Sequence, residues 1–101
     1  MNISITSRKF KARDILKEFI TAEVNSLEKY NDRILSADVI LSYQNSHDSV
    51  KIAEIIIQVP GQTLKAAEQS DDYKKSVTIA VDKLSRQLTK LKTKKTARKR
   101  A

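Results

Sequence analysis

The chain has few of the residues that carry enzyme chemistry or covalent cross-links. Among its 101 residues there is no cysteine and no tryptophan, and there is only one histidine, one glycine and one proline. The missing cysteines exclude a disulfide framework, a thiol nucleophile and a thiolate metal site. A single glycine, Gly61, excludes the phosphate-binding loops that need several glycines. One histidine leaves little for imidazole catalysis or for a multi-histidine metal centre.

Long apolar segments are also missing. No apolar run is longer than that of Ile55–Ile57, whereas spanning a bilayer takes about 20 apolar residues. The first ten residues alternate in polarity where a signal peptide needs a continuous apolar stretch. The length fits one domain. We therefore expect a single-domain protein of the cytoplasm, with no membrane partner.

Negative charge is scarce at the C-terminal end. The chain has 20 Lys and Arg against 12 Asp and Glu, a net charge of +8, and residues 83–101 contain nine basic residues and no acidic one. Such a concentrated positive field attracts polyanions, because each neutralised phosphate releases counterions. The alternative is a solvated basic tail. We expect a domain over residues 1–94 and a basic, disordered tail over residues 95–101.

The apolar pattern predicts six elements in the order β-α-β-β-β-α. Alternation predicts strands at residues 2–6, 35–43, 50–59 and 62–69. Spacings of three and four predict helices at residues 12–30 and 72–94. This order fits an α+β fold: a two-layer sandwich in which a four-stranded sheet has two helices packed on one face. Pro60–Gly61 predicts a hairpin turn, so the last three strands should form an antiparallel meander.

Some individual positions follow from this pattern. We expect Ile15 in the apolar stripe of the first helix and Leu35 on the buried face of the second strand. The other sheet face would carry three isoleucines, which isolated surface positions tolerate or a partner could cover: Ile40, Ile52 and Ile56.

No residues nominate an active site. Asp71 and Asp72 open the last helix, where capping explains them. His47 lies in a polar loop beside Asp48, without a nucleophile or second ligand assigned to it. We therefore expect no enzyme, no metal site, no cofactor and no small-molecule substrate.

The last helix has a basic face at regular spacing: Lys83, Arg86, Lys90 and Lys94. They lie nearly opposite the apolar stripe and span about 16 Å at ~1.5 Å per residue. An outer face of good helix formers is the ordinary alternative, but this face has no Glu four residues from its basic residues. The pattern predicts contact with RNA phosphates.

Further basic residues are weaker RNA-binding candidates. Lys74 and Lys75 lie in the first turn of the last helix, where cations oppose the helix dipole. Arg8 and Lys9 lie in the first connection, and whether they join the helix face depends on the fold. With few aromatic residues, a base-stacking platform is poorly supported, so recognition of structured RNA by phosphate and shape is favoured.

Two segments resemble a known family. Residues 82–92, DKLSRQLTKLK, and residues 66–73, AAEQSDDY, are similar to the end of the ribosome hibernation promoting factors, also called sigma-54 modulation proteins or ribosome-associated inhibitors. The resemblance extends over about residues 2–94. It implies a bacterial stress-response protein of stationary phase that binds the small ribosomal subunit. There it would contact 16S rRNA in the decoding channel, block the mRNA and tRNA sites, and inhibit translation.

The resemblance carries over to particular residues. It implies rRNA contact at Lys83, Arg86, Lys90 and Lys94. Lys74 and Lys75 stand where the family commonly has two alanines, and would strengthen or alter docking. Long family members have a second domain that dimerises ribosomes, so this chain would need a second factor for dimerisation or would silence single ribosomes.

Two other functions stay open at this point. One is a general structured-RNA-binding module of the double-stranded-RNA-binding type, which also packs helices on one face of an antiparallel sheet. The other is a protein-interaction adaptor that uses the sheet face around Ile40, Ile52 and Ile56.

Overall fold

The computed structural model describes residues 1–44 and 50–100, with side chains described as far as Leu91. Six main elements follow one another along the chain: β1 (Asn2–Ser7), α1 (Asp14–Asn25), β2 (Ser36–Gln44), β3 (Val50–Val59), β4 (Gln62–Ser70) and α2 (Tyr73–Arg100). A short 3-10 helix at Ser26–Lys29 continues α1. The predicted loop with His47 lies outside the described residues.

The four strands form one sheet in the order β1-β2-β3-β4. The edge strand β1 runs parallel to β2, whereas β2, β3 and β4 are joined antiparallel. A parallel pair needs a crossover connection, which α1 supplies between β1 and β2. The predicted α+β class, element order and meander are confirmed.

One core holds the two layers together. Buried side chains of both helices and of one sheet face belong to a single cluster, in which Ile55, Ile57, Leu84 and Leu88 are fully buried. Burying a side chain of this size contributes about 1.5–3 kcal/mol. Helix α2 therefore has one face fixed on the sheet and the other turned outward.

The turn between β3 and β4 has the conformation that Pro60 and Gly61 favour. Val59 pairs with Gln62, so Pro60 and Gly61 are the two central residues of the hairpin turn. Gly61 has φ 78°, the left-handed value that the third position of a type II turn requires. Proline favours the preceding position because its ring fixes φ near −65°.

Two apolar positions were predicted wrongly. Ile15 is 71% exposed and Leu35 is 55% exposed. Ile15 follows the first residue of α1, and the helix buries the arc of Ile20 and Val24 instead. Leu35 precedes β2 and is held by its backbone N–H, which donates to the Gln58 carbonyl at 2.8 Å, while Ile34 is buried.

The helix ends also differ from the expected ones. The first helix ends at Asn25, and the 3-10 helix carries the chain on to Lys29. Helix α2 continues to Arg100, beyond the expected end at Lys94, in keeping with the helix propensity of Lys, Arg and Ala. The side chain of Lys94 lies outside the described ones. The division into residues 1–94 and a tail at 95–101 stays a prediction.

Candidate nucleic-acid interface

The first turn of α2 is anchored on the sheet by two hydroxyl groups. The Tyr73 hydroxyl donates to the Ser42 carbonyl at 2.9 Å, and the Ser76 hydroxyl donates to the Lys51 carbonyl at 2.8 Å. Ser76 is fully buried, so its hydroxyl needs such a partner. The Asp72 carboxylate caps the helix by accepting from the Lys74 N–H at 3.0 Å. These bonds fix where the helix begins and therefore which residues turn outward.

The outer side of α2 presents cations. Lys83, Arg86 and Lys90, which we call the helix-face group, are exposed, whereas Leu84 and Leu88 between them are fully buried. Ile79 precedes them at helical spacing and is also exposed. The structure therefore places these three predicted residues together on one surface.

Two members of the helix-face group have carboxylate partners. The Lys83 ammonium forms an ion pair with Oε1 of Glu68, on β4, and Nη2 of Arg86 lies 3.1 Å from Oδ2 of Asp82. The expectation of a face without acidic partners is therefore wrong for these two residues. It considered only Glu at helical spacing, and so missed Asp82 within the helix and Glu68 on the neighbouring strand. Among the described residues, no carboxylate lies within ion-pair distance of Lys90.

The remaining candidates lie at the other end of the sheet, where α2 begins. Strand β1 ends there, and the Arg8 N–H donates to the Leu41 carbonyl at 2.9 Å. Two residues later, the Phe10 ring stacks on Tyr73, with centroids 5.1 Å apart and planes 13° apart. The first connection is thus attached to the first residue of α2. Arg8 and Lys9 accordingly join Lys74 and Lys75 rather than the helix-face group; we call these four residues the helix-start group.

Two cations at this end have partners of different kinds. Nζ of Lys74 lies 5.5 Å from the Phe19 centroid. Lys75 forms an exposed pair with Asp71 at 3.3 Å. A cation over a ring gains electrostatic attraction and keeps its full charge.

Lys51 is a further cation at this end, and the sequence pattern did not predict it as a binding residue. Its Nζ lies 5.7 Å from the Tyr43 centroid and 5.6 Å from the Tyr73 centroid. It lies on the helix-facing side of β3, two residues before the buried Ala53. The signal was present in the alternation, because a lysine at an inward position near a strand end points to a particular partner.

Lys9 has an unusual backbone conformation. Its φ of 67° is the only positive value among the described non-glycine residues. The left-handed region costs an L-residue about 1–2 kcal/mol. The hydroxyl of Ser7 donates to the Phe10 carbonyl at 2.8 Å and closes this tight turn around Lys9.

The aromatic side chains at this end pack on one another. Phe10 meets Tyr43 edge-on at 6.0 Å and stacks on Tyr73. Burial raises the pKa of the Tyr73 hydroxyl, and Tyr43 adds to the rise. The hydroxyl therefore stays neutral and keeps its donor proton for Ser42.

Other kinds of site find no support in the described part of the chain. Those residues contain no group of three His, Cys, Asp or Glu side chains placed to hold a metal ion. Within the same residues, no helix is both long and apolar enough to cross a membrane.

Several known proteins are similar to this chain. The family model described as "Sigma 54 modulation protein / S30EA ribosomal protein" matches residues 3–96. The ribosome hibernation promoting factor of Escherichia coli K12 is 34% identical over 95 residues, which are 93% of this chain and 96% of that protein. The ribosome hibernation promotion factor of Bacillus subtilis is 28% identical, over 93% of this chain and 50% of that protein.

Solved structures agree with the sequence matches. A ribosomal subunit interface protein from Coxiella burnetii superposes with a TM-score of 0.83 at 27% identity, covering 92% of this chain and 99% of that one. The N-terminal domain of Protein Y from Thermus thermophilus gives a TM-score of 0.80 at 27% identity, covering 90% and 99%.

These matches cover nearly the whole chain in sequence and in fold. They confirm the predicted family and, because this family of ribosome-associated factors is not enzymatic, the prediction that the protein is no enzyme. The chain belongs to the Sigma 54 modulation protein / S30EA ribosomal protein family.

Proposed function

We propose that this protein is a bacterial, cytoplasmic hibernation factor that binds the small ribosomal subunit and inhibits translation. It would contact 16S rRNA in the decoding channel and block the sites of mRNA and tRNA. Support comes from its family and from relatives named as ribosome hibernation factors and as a ribosomal subunit interface protein. The family match by itself makes the protein a ribosome-associated factor.

The observation that carries the proposal is the fixed outer face of α2. The buried side of this helix is anchored on the sheet, so the helix-face group projects from a rigid support. From Lys83 to Lys90 the helix-face group extends along about 10 Å of helix axis, at ~1.5 Å per residue. A row of this length meets more than one backbone phosphate.

The mechanism is occlusion, without any covalent step. The helix-face group binds rRNA phosphates, and we assign the helix-start group to a second set of phosphates beyond the beginning of α2. Lys94 would extend the first set by one turn. Each phosphate contact releases counterions, so binding weakens with salt, with a log–log slope of about −0.7 to −0.9 per contact.

Sedimentation with isolated 30S and 50S subunits, at low and high salt, tests the proposal. We expect co-migration with 30S alone and its loss at high salt. Equal binding to both subunits, or binding to an unrelated RNA duplex with the same affinity, would favour the general RNA-binding module. No binding to either subunit would contradict both RNA-binding functions.

The open sheet face supports the adaptor function less than the face of α2 supports RNA binding. Ile40, Ile52 and Ile56 are half-buried there. Ile40 lies opposite Glu54, and Ile56 lies opposite Lys65. Glu54 and Lys65 form an ion pair at 3.1 Å, so charge separates the isoleucines.

A further inference from the structure

Carboxylates hold two of the three cations of the helix-face group. Oε1 of Glu68 contacts the Lys83 ammonium, and Oδ2 of Asp82 lies 3.1 Å from Nη2 of Arg86. Glu68 follows Leu64 and Ala66 on the helix-facing side of β4, and its side chain is only 18% exposed, against 56% for Lys83. The carboxylate therefore lies beneath the ammonium, between helix and sheet.

Folding stability does not account for this arrangement. Ion pairs near the surface contribute little to the free energy of unfolding, and an inward carboxylate costs desolvation that a neutral side chain of the same size avoids. The carboxylates also lower the positive potential of the face that the proposed function uses. Their effect on binding is therefore the property to consider.

A carboxylate partner changes binding in two opposite ways. It cancels part of the cation's charge, which weakens attraction to any polyanion. It also fixes the cation in one position, so less side-chain freedom is lost when a phosphate binds at that position. Only an RNA surface whose phosphates match the fixed positions gains from the second effect.

We propose that Glu68 and Asp82 are selectivity residues of the RNA-binding face. They neutralise and position Lys83 and Arg86, so that the face rejects unmatched RNA while keeping its affinity for one matched, rigid RNA surface. This inference rests on the proposed function, in which that surface belongs to the small ribosomal subunit. It is an example of specificity obtained by penalising the wrong partners.

The size of the effect follows from counterion release. One additional free cation at 0.1 M salt raises affinity for an RNA duplex by about eightfold and steepens the salt slope by about 0.9. On the matched surface, the freed cation is no longer held in position. This lowers affinity by a factor of about 2 to 10 and so offsets much of the gain. Removing one carboxylate charge should therefore change affinity for 30S subunits by no more than about fourfold.

The experiment compares Glu68→Gln and Asp82→Asn with the wild-type protein. Affinity is measured for 30S subunits and for a 20-base-pair RNA duplex of unrelated sequence, over a salt series. Glu54→Gln is the matched control, because it also removes one carboxylate from an ion pair, at Lys65 on the opposite sheet face. Thermal melting shows whether each variant is folded. Because Asp82 is exposed, the Asp82→Asn variant still tests the inference if the Glu68 variant unfolds.

We expect each test variant to bind the duplex about eightfold more tightly, with 30S affinity changed by no more than about fourfold, and the control to alter neither by more than about twofold. An unchanged ratio between the two ligands would overturn the inference, as would equal gains in the control. If the wild-type protein fails to bind 30S subunits, the proposed function fails instead. The duplex arm still reports whether the carboxylates mask the two cations.

Discussion

The two basic regions of this protein differ in the groups that face their cations. In the helix-face group, Lys83 and Arg86 are paired with carboxylates. In and beside the helix-start group, Lys74 and Lys51 lie against aromatic rings, while Lys75 forms an exposed pair with Asp71. Both arrangements restrict the side chain, but only the carboxylate cancels charge. The position and the charge of a cation are thus controlled separately. An aromatic ring fixes the position and leaves the charge, whereas a carboxylate fixes the position and cancels charge.

The difference also concerns what each region needs in order to form. The helix-face group depends on burial of α2 against the sheet, which many core side chains share. The helix-start group depends on a few contacts, above all the stacking of Phe10 on Tyr73. Single substitutions should therefore disturb the second region more easily, while combined charge changes are needed to disable the first.

The largest effect should come from removing the charge of the helix-face group. In the variant K83Q/R86Q/K90Q we expect affinity for 30S subunits to fall about 100-fold at 0.1 M salt, because three phosphate contacts are lost. Glutamine is preferred to glutamate at position 83, where a new carboxylate would face Glu68. Binding is measured by co-sedimentation over a concentration series.

Its control carries the same change of charge elsewhere. The variant K17Q/K29Q/K65Q removes three exposed lysines outside both basic groups. We expect its affinity to fall less than about threefold. Equal losses in the two variants would mean that net charge, and not the face of α2, determines binding.

The second effect is on the stability of the helix-start region. Phe10→Ala removes the ring that stacks on Tyr73 and meets Tyr43 edge-on. We expect the free energy of unfolding to fall by about 2 kcal/mol, less than for a fully buried phenylalanine. Urea unfolding measures it. Ile15→Ala, at an exposed apolar position, should change stability by no more than about 0.5 kcal/mol; similar losses in both variants would contradict the role of the stack.

The same region should give a pH dependence. Because the pKa of Tyr73 is raised in the folded state, the neutral hydroxyl stabilises the fold below the ordinary tyrosine pKa of about 10, and this contribution is lost as pH rises through the folded value. Tyr73→Phe should cost about 1 kcal/mol at pH 7, from the lost bond to Ser42. It should also lessen the fall in stability above pH 10.

Urea unfolding at pH 7 and pH 10.5 measures both parts of this prediction. Tyr30→Phe is the control, since no hydrogen bond of the Tyr30 hydroxyl is found among the described residues. We expect that variant to keep the wild-type stability at pH 7. A Tyr73→Phe protein with unchanged stability at both pH values would show that the hydroxyl contributes nothing.

The smallest effect should come from Lys9, whose φ of 67° suits glycine. Lys9→Gly should raise the free energy of unfolding by about 0.5–1 kcal/mol, because the strain relieved exceeds the added entropy of the unfolded chain. It should also weaken 30S binding about fivefold through one lost contact. Arg8→Gly, without positive φ, should lower stability; if both glycine variants behave alike, Lys9 is not strained.

Much of the fold could be predicted from the sequence because the apolar patterns that specify it are local. Alternation placed Ala53, Ile55 and Ile57 on the buried face, and helical spacing did the same for Leu84 and Leu88. Ile15 and Leu35 were misplaced because both lie next to the end of an element. There the periodic pattern continues in the sequence while the backbone has already changed direction.

The candidate site was harder to predict because the residues that contact one another there come from different elements. Periodicity found Lys83 and Arg86, yet the burial of Glu68 could be read only by extending the β4 alternation past Leu64 and Ala66. The proximity of Phe10 to Tyr73 depends on β1 pairing parallel to β2. That choice of pairing is tertiary, and no short segment of the sequence encodes it.

Directed cleavage of 16S rRNA from single positions on the protein tests the central claim most directly. The chain has no cysteine, so one introduced cysteine carries a hydroxyl-radical source at a unique site. Ile79→Cys places it on the outer side of α2, beside the helix-face group, and Thr63→Cys places it on the open sheet face as the control. We predict cleavage within the decoding channel from position 79 and markedly less from position 63. Cleavage elsewhere in 16S rRNA, or stronger cleavage from position 63, would contradict the account.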